Sequence, residues 1–175
     1  AWMMQAMIRE NCFITTTTEV LAEEIRKRRR MKPDFHYDDT TIVLPNLITD
    51  LHKHPPIKHE KEDTVVIGYF GGSSHFYDLN DTYCMQGLAR VMHEHKNVRF
   101  KTVGIPVQHY IPRGRYDFVD GKRGLPLITD MFPTLNMDIC IAPILENTFN
   151  EGKSNIKWLE STRAGAAFIA SNIGP

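Results

Sequence analysis

Lys153 and Glu160 stand seven residues apart, in a stretch whose side chains suit an anionic ligand bearing hydroxyl groups. Seven residues is about two turns of an α-helix, so the ammonium and the carboxylate share one side if residues 153–163 are helical. A lysine meets phosphate as a compact positive charge. A carboxylate accepts two hydrogen bonds from vicinal hydroxyls, the pattern a ribose presents. Asn150, Gly152 and Ser154 fill the loop just before this segment. The apolar run Asp138-Ile-Cys-Ile-Ala-Pro143 precedes the loop, and Gly165-Ala-Ala-Phe-Ile-Ala-Ser171 follows the helix. The loop therefore joins the carboxyl end of one strand to the amino end of a helix. Doubly wound sheets bind ligands at that edge, where free amides and the helix dipole attract anions. The same spacing also fits a plain surface Lys and Glu on an amphipathic helix.

A second loop, Gly71-Gly-Ser-Ser-His-Phe-Tyr-Asp78, follows the apolar run Thr64-Val-Val-Ile-Gly-Tyr-Phe70. It lacks the glycine spacing of the dinucleotide fingerprint and of the P-loop, and glycines after strands often mark simple turns. His75 is its one basic residue.

These loops need a scaffold, and the hydrophobic pattern supplies one. Residues 2–10 read as a short helix, and residues 12–18 as a strand rich in β-branched side chains. Thr18 is placed to cap a helix that carries Val20, Leu21 and Ile25 on one face and ends in Arg26-Lys-Arg-Arg-Arg30. Residues 41–45 form a short strand. Residues 50–63 read as a polar linker containing His52, His54 and His59. Prolines interrupt those histidines, so a preformed metal site is not expected. Further on come a buried strand at 64–70, a helix at 79–95, a strand at 97–103 and an irregular segment at 105–124. A short helix at 125–135, a strand at 138–142, a helix at 153–163 and a strand at 166–170 complete the order. Strands alternating with helices imply an α/β fold, a Rossmann-like parallel sheet with helices on both faces.

Three segments are expected: residues 1–32 as helix-strand-helix, 33–63 as strand and linker, and 64–175 as the Rossmann-like domain. An α/β layer that ends on a strand, in a chain that opens on Ala, reads as a fragment of a longer protein.

Composition narrows the function classes. Among 175 residues, Lys plus Arg and Asp plus Glu each number 21, so no net field steers a polyanion and nucleic acid is not an expected partner. The apolar share of 42% is that of a soluble globular protein. No run is long and apolar enough to span a bilayer. Residues 1–10 mix Trp2, Met3, Met4 and Met7 with Gln5, Arg9 and Glu10, unlike a secretory leader. The three cysteines, Cys12, Cys84 and Cys140, are widely spaced, which points to a reducing compartment and away from a zinc site. A cytoplasmic location follows as the expectation. Arg26–Arg30 would permit contact with a membrane surface, and the apolar residues near the N-terminus would permit self-association through residues 1–32.

Three pieces of the chain resemble the GT-B glycosyltransferases of the large retaining "group 1" family, here their C-terminal half. Phe13-Ile-Thr-Thr-Thr-Thr-Glu-Val-Leu-Ala-Glu-Glu-Ile25 resembles the end of that family's N-terminal domain, and Thr41-Ile-Val-Leu-Pro-Asn46 the strand entering the C-terminal one. The third and longest piece runs from Asp138 through Phe149-Asn-Glu-Gly-Lys-Ser-Asn-Ile-Lys-Trp-Leu-Glu160 to Pro175. The resemblance implies binding of a nucleoside-diphosphate sugar as substrate, with no cofactor and no metal, for transfer to an acceptor in polysaccharide or glycan synthesis. It implies that Glu160 holds the ribose, and that Lys153, Ser154 and the amides from Asn155 onward hold phosphate. Gly71 and Gly72 would admit the diphosphate or sugar. Asn150, His75 and Lys157 complete the implied donor-binding set, and Ile144 to Asn147 would lie beside the base or sugar. Family members often carry two glutamates eight apart, whereas the residue eight before Glu160 is Gly152. The loop after the first strand has His75 where many members have Arg and Lys. No side chain stands out as a general base, so no catalytic residue is assigned. A GT-B-fold sugar-nucleotide epimerase and a non-catalytic Rossmann-like association module are the alternative readings.

Overall fold

The computed structural model describes residues 13–30, 40–47, 63–80, 83–107, 111–121 and 132–174. The helix expected at 2–10, Cys12, the histidines of the linker and most of the helix expected at 125–135 lie outside the described residues. In chain order the elements are β1 (Ile14–Thr16), α1 (Glu19–Arg30), β2 (Thr41–Val43), β3 (Val65–Phe70), α2 (Phe76–Asn80), α3 (Cys84–Glu94), β4 (Val98–Val103), β5 (Tyr116–Val119), β6 (Ile139–Ala142), α4 (Thr148–Glu151), α5 (Ile156–Arg163) and β7 (Ala167–Ala170). Single 3-10 turns cover Ser73–His75 and Phe132–Leu135.

Two compact units divide the described chain. The first holds residues 13–30, 40–47, 146–156 and 173–174; the second holds 63–80, 83–107, 111–121, 132–145 and 157–172.

In the first unit β1 and β2 pair in parallel, with Ile14 opposite Thr41, and α1 is the crossover between them. Thr18 caps α1 as its sequence suggests, its Oγ1 accepting from the Leu21 amide at 3.3 Å. The same hydroxyl donates to the Gly152 carbonyl at 2.8 Å. Ala22 and Ile25 form the buried stripe of α1. Its basic run is largely neutralised within the helix. Arg26 pairs with Glu19 and Glu23, Arg28 with Glu24 at 2.7 Å, and Arg30 with Glu23 at 3.7 Å. Arg29 is buried and donates to Thr40 Oγ1 at 2.7 Å.

The second unit is a five-stranded sheet in the order β5-β4-β3-β6-β7, every neighbouring pair parallel. Parallel strands need a crossover, so both faces end up covered and the strands read as apolar runs. Ile67 and Tyr69 of β3 and Val98 and Phe100 of β4 face one side, packed with Leu79 and with Met85, Leu88 and Met92 of α3. Phe70, Val103 and Cys140 face the other, with Leu135, Met137, Ala164 and Ala166. The three α3 residues are spaced i, i+3, i+7, the stripe of one helix face. Cys140 is a fully buried core residue, as expected from its strand.

Asp138 keys the sheet's centre. Its side chain accepts from the Val66 amide at 2.7 Å, its own amide donates to Val66 O, and its carbonyl accepts from Ala167 N. One carboxylate thus sets the register of β6 against β3 before the strand begins.

Several elements differ from expectation. The segment 105–124, read as irregular, contains the edge strand β5. Its four residues are short and flanked by turn residues, so alternation had little length in which to register. Arg115, one residue earlier, donates to the carbonyls of Met92 and His95 at the end of α3, which anchors that edge. The helix expected at 79–95 is described as two pieces, α2 and α3, and the helix expected from 153 begins at Ile156.

Gly104 ends β4 with φ +82°, and a Cβ there would lie 2.5 Å from the carbonyl oxygen of Gly71. Only a residue without a side chain permits both the backbone conformation and that approach. Gly104→Ala is therefore expected to destabilise the chain by about 1–3 kcal/mol, read as a lower urea midpoint at unchanged slope. An unchanged midpoint would contradict the close packing of the two strand ends.

Candidate functional site

Strand order reverses between β3 and β6: the chain leaves β3 toward β4 and β5, then returns to β6 on β3's other side. The loops leaving these two strands must diverge, which opens a crevice at their carboxyl ends. Phe70, Gly71 and Gly72 form one lip, and Pro143, Ile144 and Leu145 the other.

Each lip is held by side chains. Asp78 of α2 is buried, and its Oδ2 lies 2.9 Å from His75 Nδ1. Its Oδ1 accepts the Leu145 amide at 3.2 Å, so one carboxylate touches both lips. The neighbouring Ile144 amide donates to Ser171 Oγ at 3.0 Å, just past β7. Gly71 is sterically confined: a Cβ there would come within 3.2 Å of both Tyr69 Oη and His75 Cβ.

Lys157, in the first turns of α5, extends over the end of β3. Its ammonium is 4.3 Å from the Tyr69 ring centroid, 5.5 Å from that of Phe70, and 3.3 Å from Tyr69 Oη. Aromatic faces attract a partly desolvated cation in this geometry. Tyr69 is fully buried. Burial, and then the nearby Asp78 charge, push its hydroxyl well above the usual tyrosine range. It therefore stays neutral and can accept a hydrogen bond from Lys157.

Glu160 is half-buried one turn beyond Lys157. Its carboxyl titrates above the ordinary glutamate value of 4.5, because burial disfavours the charge more than Lys157 restores it. Its carboxylate has no hydrogen-bond donor among the described residues, which leaves acceptor capacity inside a partly desolvated place. Ser161 is buried and donates to the Lys157 carbonyl at 2.6 Å, steadying this part of the helix.

Of the residues singled out in the sequence, Gly71, Gly72, His75, Lys157 and Glu160 belong to the second unit. Asn150, Lys153, Ser154 and Asn155 belong to the first. There Asn150 is buried in α4, its amide received by the capping side chain of Asn147 at 2.9 Å. Ser154 Oγ accepts from Asn46 Nδ2 at 2.6 Å, and the Lys153 ammonium stands 5.1 Å from the Phe149 ring centroid. The expected pairing of Lys153 with Glu160 along one continuous helix changes accordingly: the helix starts three residues after Lys153, and Lys157 is the lysine on it.

Tyr69 and Asp78 escaped the sequence reading, whereas Leu145 lies within the stretch Ile144 to Asn147 that it named. A signal for both was present. His75 and Asp78 are spaced i, i+3, and Tyr69 is a polar-tipped aromatic in an otherwise apolar strand. Among the described residues no group of three or more His, Cys, Asp or Glu is arranged to hold a metal ion, and no helix is long and apolar enough to cross a membrane.

No family model matches the sequence. None of the curated proteins compared with it matches either. Among solved structures, the crystal structure of TarM, a GT-B glycosyltransferase, superposes with a TM-score of 0.57 at 12% identity. The match covers 92% of this chain and 30% of TarM. The fold is glycosyltransferase-like. At this identity the likeness concerns the fold, and the chain spans under a third of the protein it matches.

Glu160 has a measurable pH signature. Because its folded-state pKa is raised, the native chain binds more protons than the unfolded one between the two values, and stability falls as pH rises through that window. Glu160→Gln is therefore expected to melt higher than wild type at neutral pH. The gain should shrink as pH falls back through 4.5, the ordinary glutamate value. A Tm difference that does not vary with pH would mean that the carboxyl is not desolvated.

Proposed function

We propose that this chain is the donor-binding part of a glycosyltransferase and binds a nucleoside-diphosphate sugar whose glycosyl group passes to an acceptor. The observation that carries the reading is the Lys157 ammonium, held against Tyr69 at the carboxyl end of β3, beside the strand-end loops that carry Gly71 and Gly72 on one side and Ile144 and Leu145 on the other. The glycosyltransferase-like fold, shared with TarM, supports it.

In this reading Lys157 offsets the charge that grows on the diphosphate as the glycosidic bond breaks and the sugar becomes oxocarbenium-like. Electrostatic preorganisation of this kind acts most strongly where water is excluded. Gly71 and Gly72 let the phosphates come close to backbone, and the Glu160 carboxylate accepts from the ribose hydroxyls. Lys153, Ser154 and Asn155 are assigned to phosphate from their place in the sequence, and Lys153→Ala tests that part separately. The reaction proposed is metal-independent, since charge neutralisation falls to lysine and amides.

A non-catalytic association module is the second reading. It draws on exposed apolar side chains of the first unit: Phe13 at 77%, Leu44 at 57% and Leu47 at 83% relative exposure.

Calorimetric titration with UDP, GDP, dTDP and their sugars separates the two. One nucleotide should bind, and Lys157→Met and Glu160→Ala should each weaken it by about tenfold, or 1.4 kcal/mol. No binding across the panel, together with concentration-dependent dimerisation in sedimentation, would favour the second reading.

A further inference from the structure

A buried carboxylate is costly unless its oxygens are hydrogen-bonded, so the partners it keeps call for a reason. Asp78 is such a group, 4% exposed, on a helix of only five residues. Both its oxygens are engaged, one with the His75 ring at 2.9 Å and one with the Leu145 amide at 3.2 Å. These partners come from opposite sides of the crevice, 67 residues apart in sequence between Asp78 and Leu145. Its charge also reaches Tyr69, the residue against which Lys157 rests.

We propose that Asp78 is a positioning residue of the nucleotide crevice: it clamps His75 on the β3 lip and the Leu145 backbone on the β6 lip at one separation suited to a nucleoside diphosphate. The proposal rests on the donor-binding reading above. The carboxylate is required rather than any polar group. It accepts at both oxygens, whereas an amide offers an acceptor on one side and a donor on the other, and so meets His75 Nδ1 only if that nitrogen gives up its proton. In Asp78→Asn one lip is released, or His75 shifts to its other tautomer to receive the amide. Accepting from His75 Nδ1 also fixes which ring nitrogen bears the proton in the neutral imidazole.

The test compares wild type with Asp78→Asn by calorimetric titration of UDP, GDP and dTDP separately, beside 1H–15N spectra of both proteins. Asp78→Asn should keep the dispersed spectrum of a folded chain yet bind the preferred nucleotide about tenfold more weakly. In wild type the Leu145 amide resonance should shift and its hydrogen exchange should slow on nucleotide addition, and in Asp78→Asn it should no longer respond. His75 ring nitrogens should lose the single-tautomer pattern. Should Asp78→Asn fail to fold, the wild-type Leu145 amide still decides the matter, since exchange indifferent to bound nucleotide would overturn the clamp. Affinity within twofold of wild type in folded Asp78→Asn overturns it as well. Wild type that binds no nucleotide brings down the donor-binding reading and this proposal with it. Intact binding in both proteins brings down the clamp alone.

Discussion

Parallel pairing of β3 with its two neighbours is the constraint on which the second unit depends. Parallel strands cannot be joined by a tight turn, so each connection must cross a sheet face and bring apolar surface down onto it. Both faces of β3 are consequently dry, with Ile67 and Tyr69 on one and Phe70 on the other. The same constraint sends every loop that leaves a strand to the same edge of the sheet. Where the order reverses, two such loops part and leave backbone amides and carbonyls without sheet partners. The crevice is a consequence of topology before any side chain is chosen.

What the side chains add is charge placed where water is scarce. Asp78 and Tyr69 are buried, while Lys157 and Glu160 are partly so. Each is poised by a neighbour rather than by solvent. Burial, and then the Asp78 charge, raise the Tyr69 hydroxyl, neutral Tyr69 receives the Lys157 ammonium, and Lys157 partly offsets the burial of Glu160. Coulomb interactions in such surroundings are several times stronger than in water. The set therefore behaves as a coupled unit, in which a change at one member is felt at the others.

Much of the scaffold was legible in the sequence. Apolar runs at 64–70 and 138–142, and the β-branched and aromatic residues within 97–103, named the three central strands, because strands covered on both faces favour such side chains. Thr18 announced the start of α1 through its hydroxyl. The site was legible in part. Gly71, Gly72, His75, Lys157 and Glu160 were singled out and lie in the second unit, while Asn150, Lys153, Ser154 and Asn155 lie in the first. The edge strand β5 was missed because four residues between turns hold too little pattern, and its place comes from pairing with β4 and from Arg115 reaching the end of α3.

The sequence by itself determined the α/β alternation, the parallel sheet, and the presence of lysine, glutamate and glycine beside strand ends. Local periodicity and turn chemistry suffice for those, since they depend on residues a few positions apart. Tertiary structure alone decided that Asp78 meets Leu145, that Lys157 rests on Tyr69, and that the lysine seven residues from Glu160 is not the one on its helix. Such partners are brought together by strand order across tens of residues, and no local pattern in the chain encodes that distance.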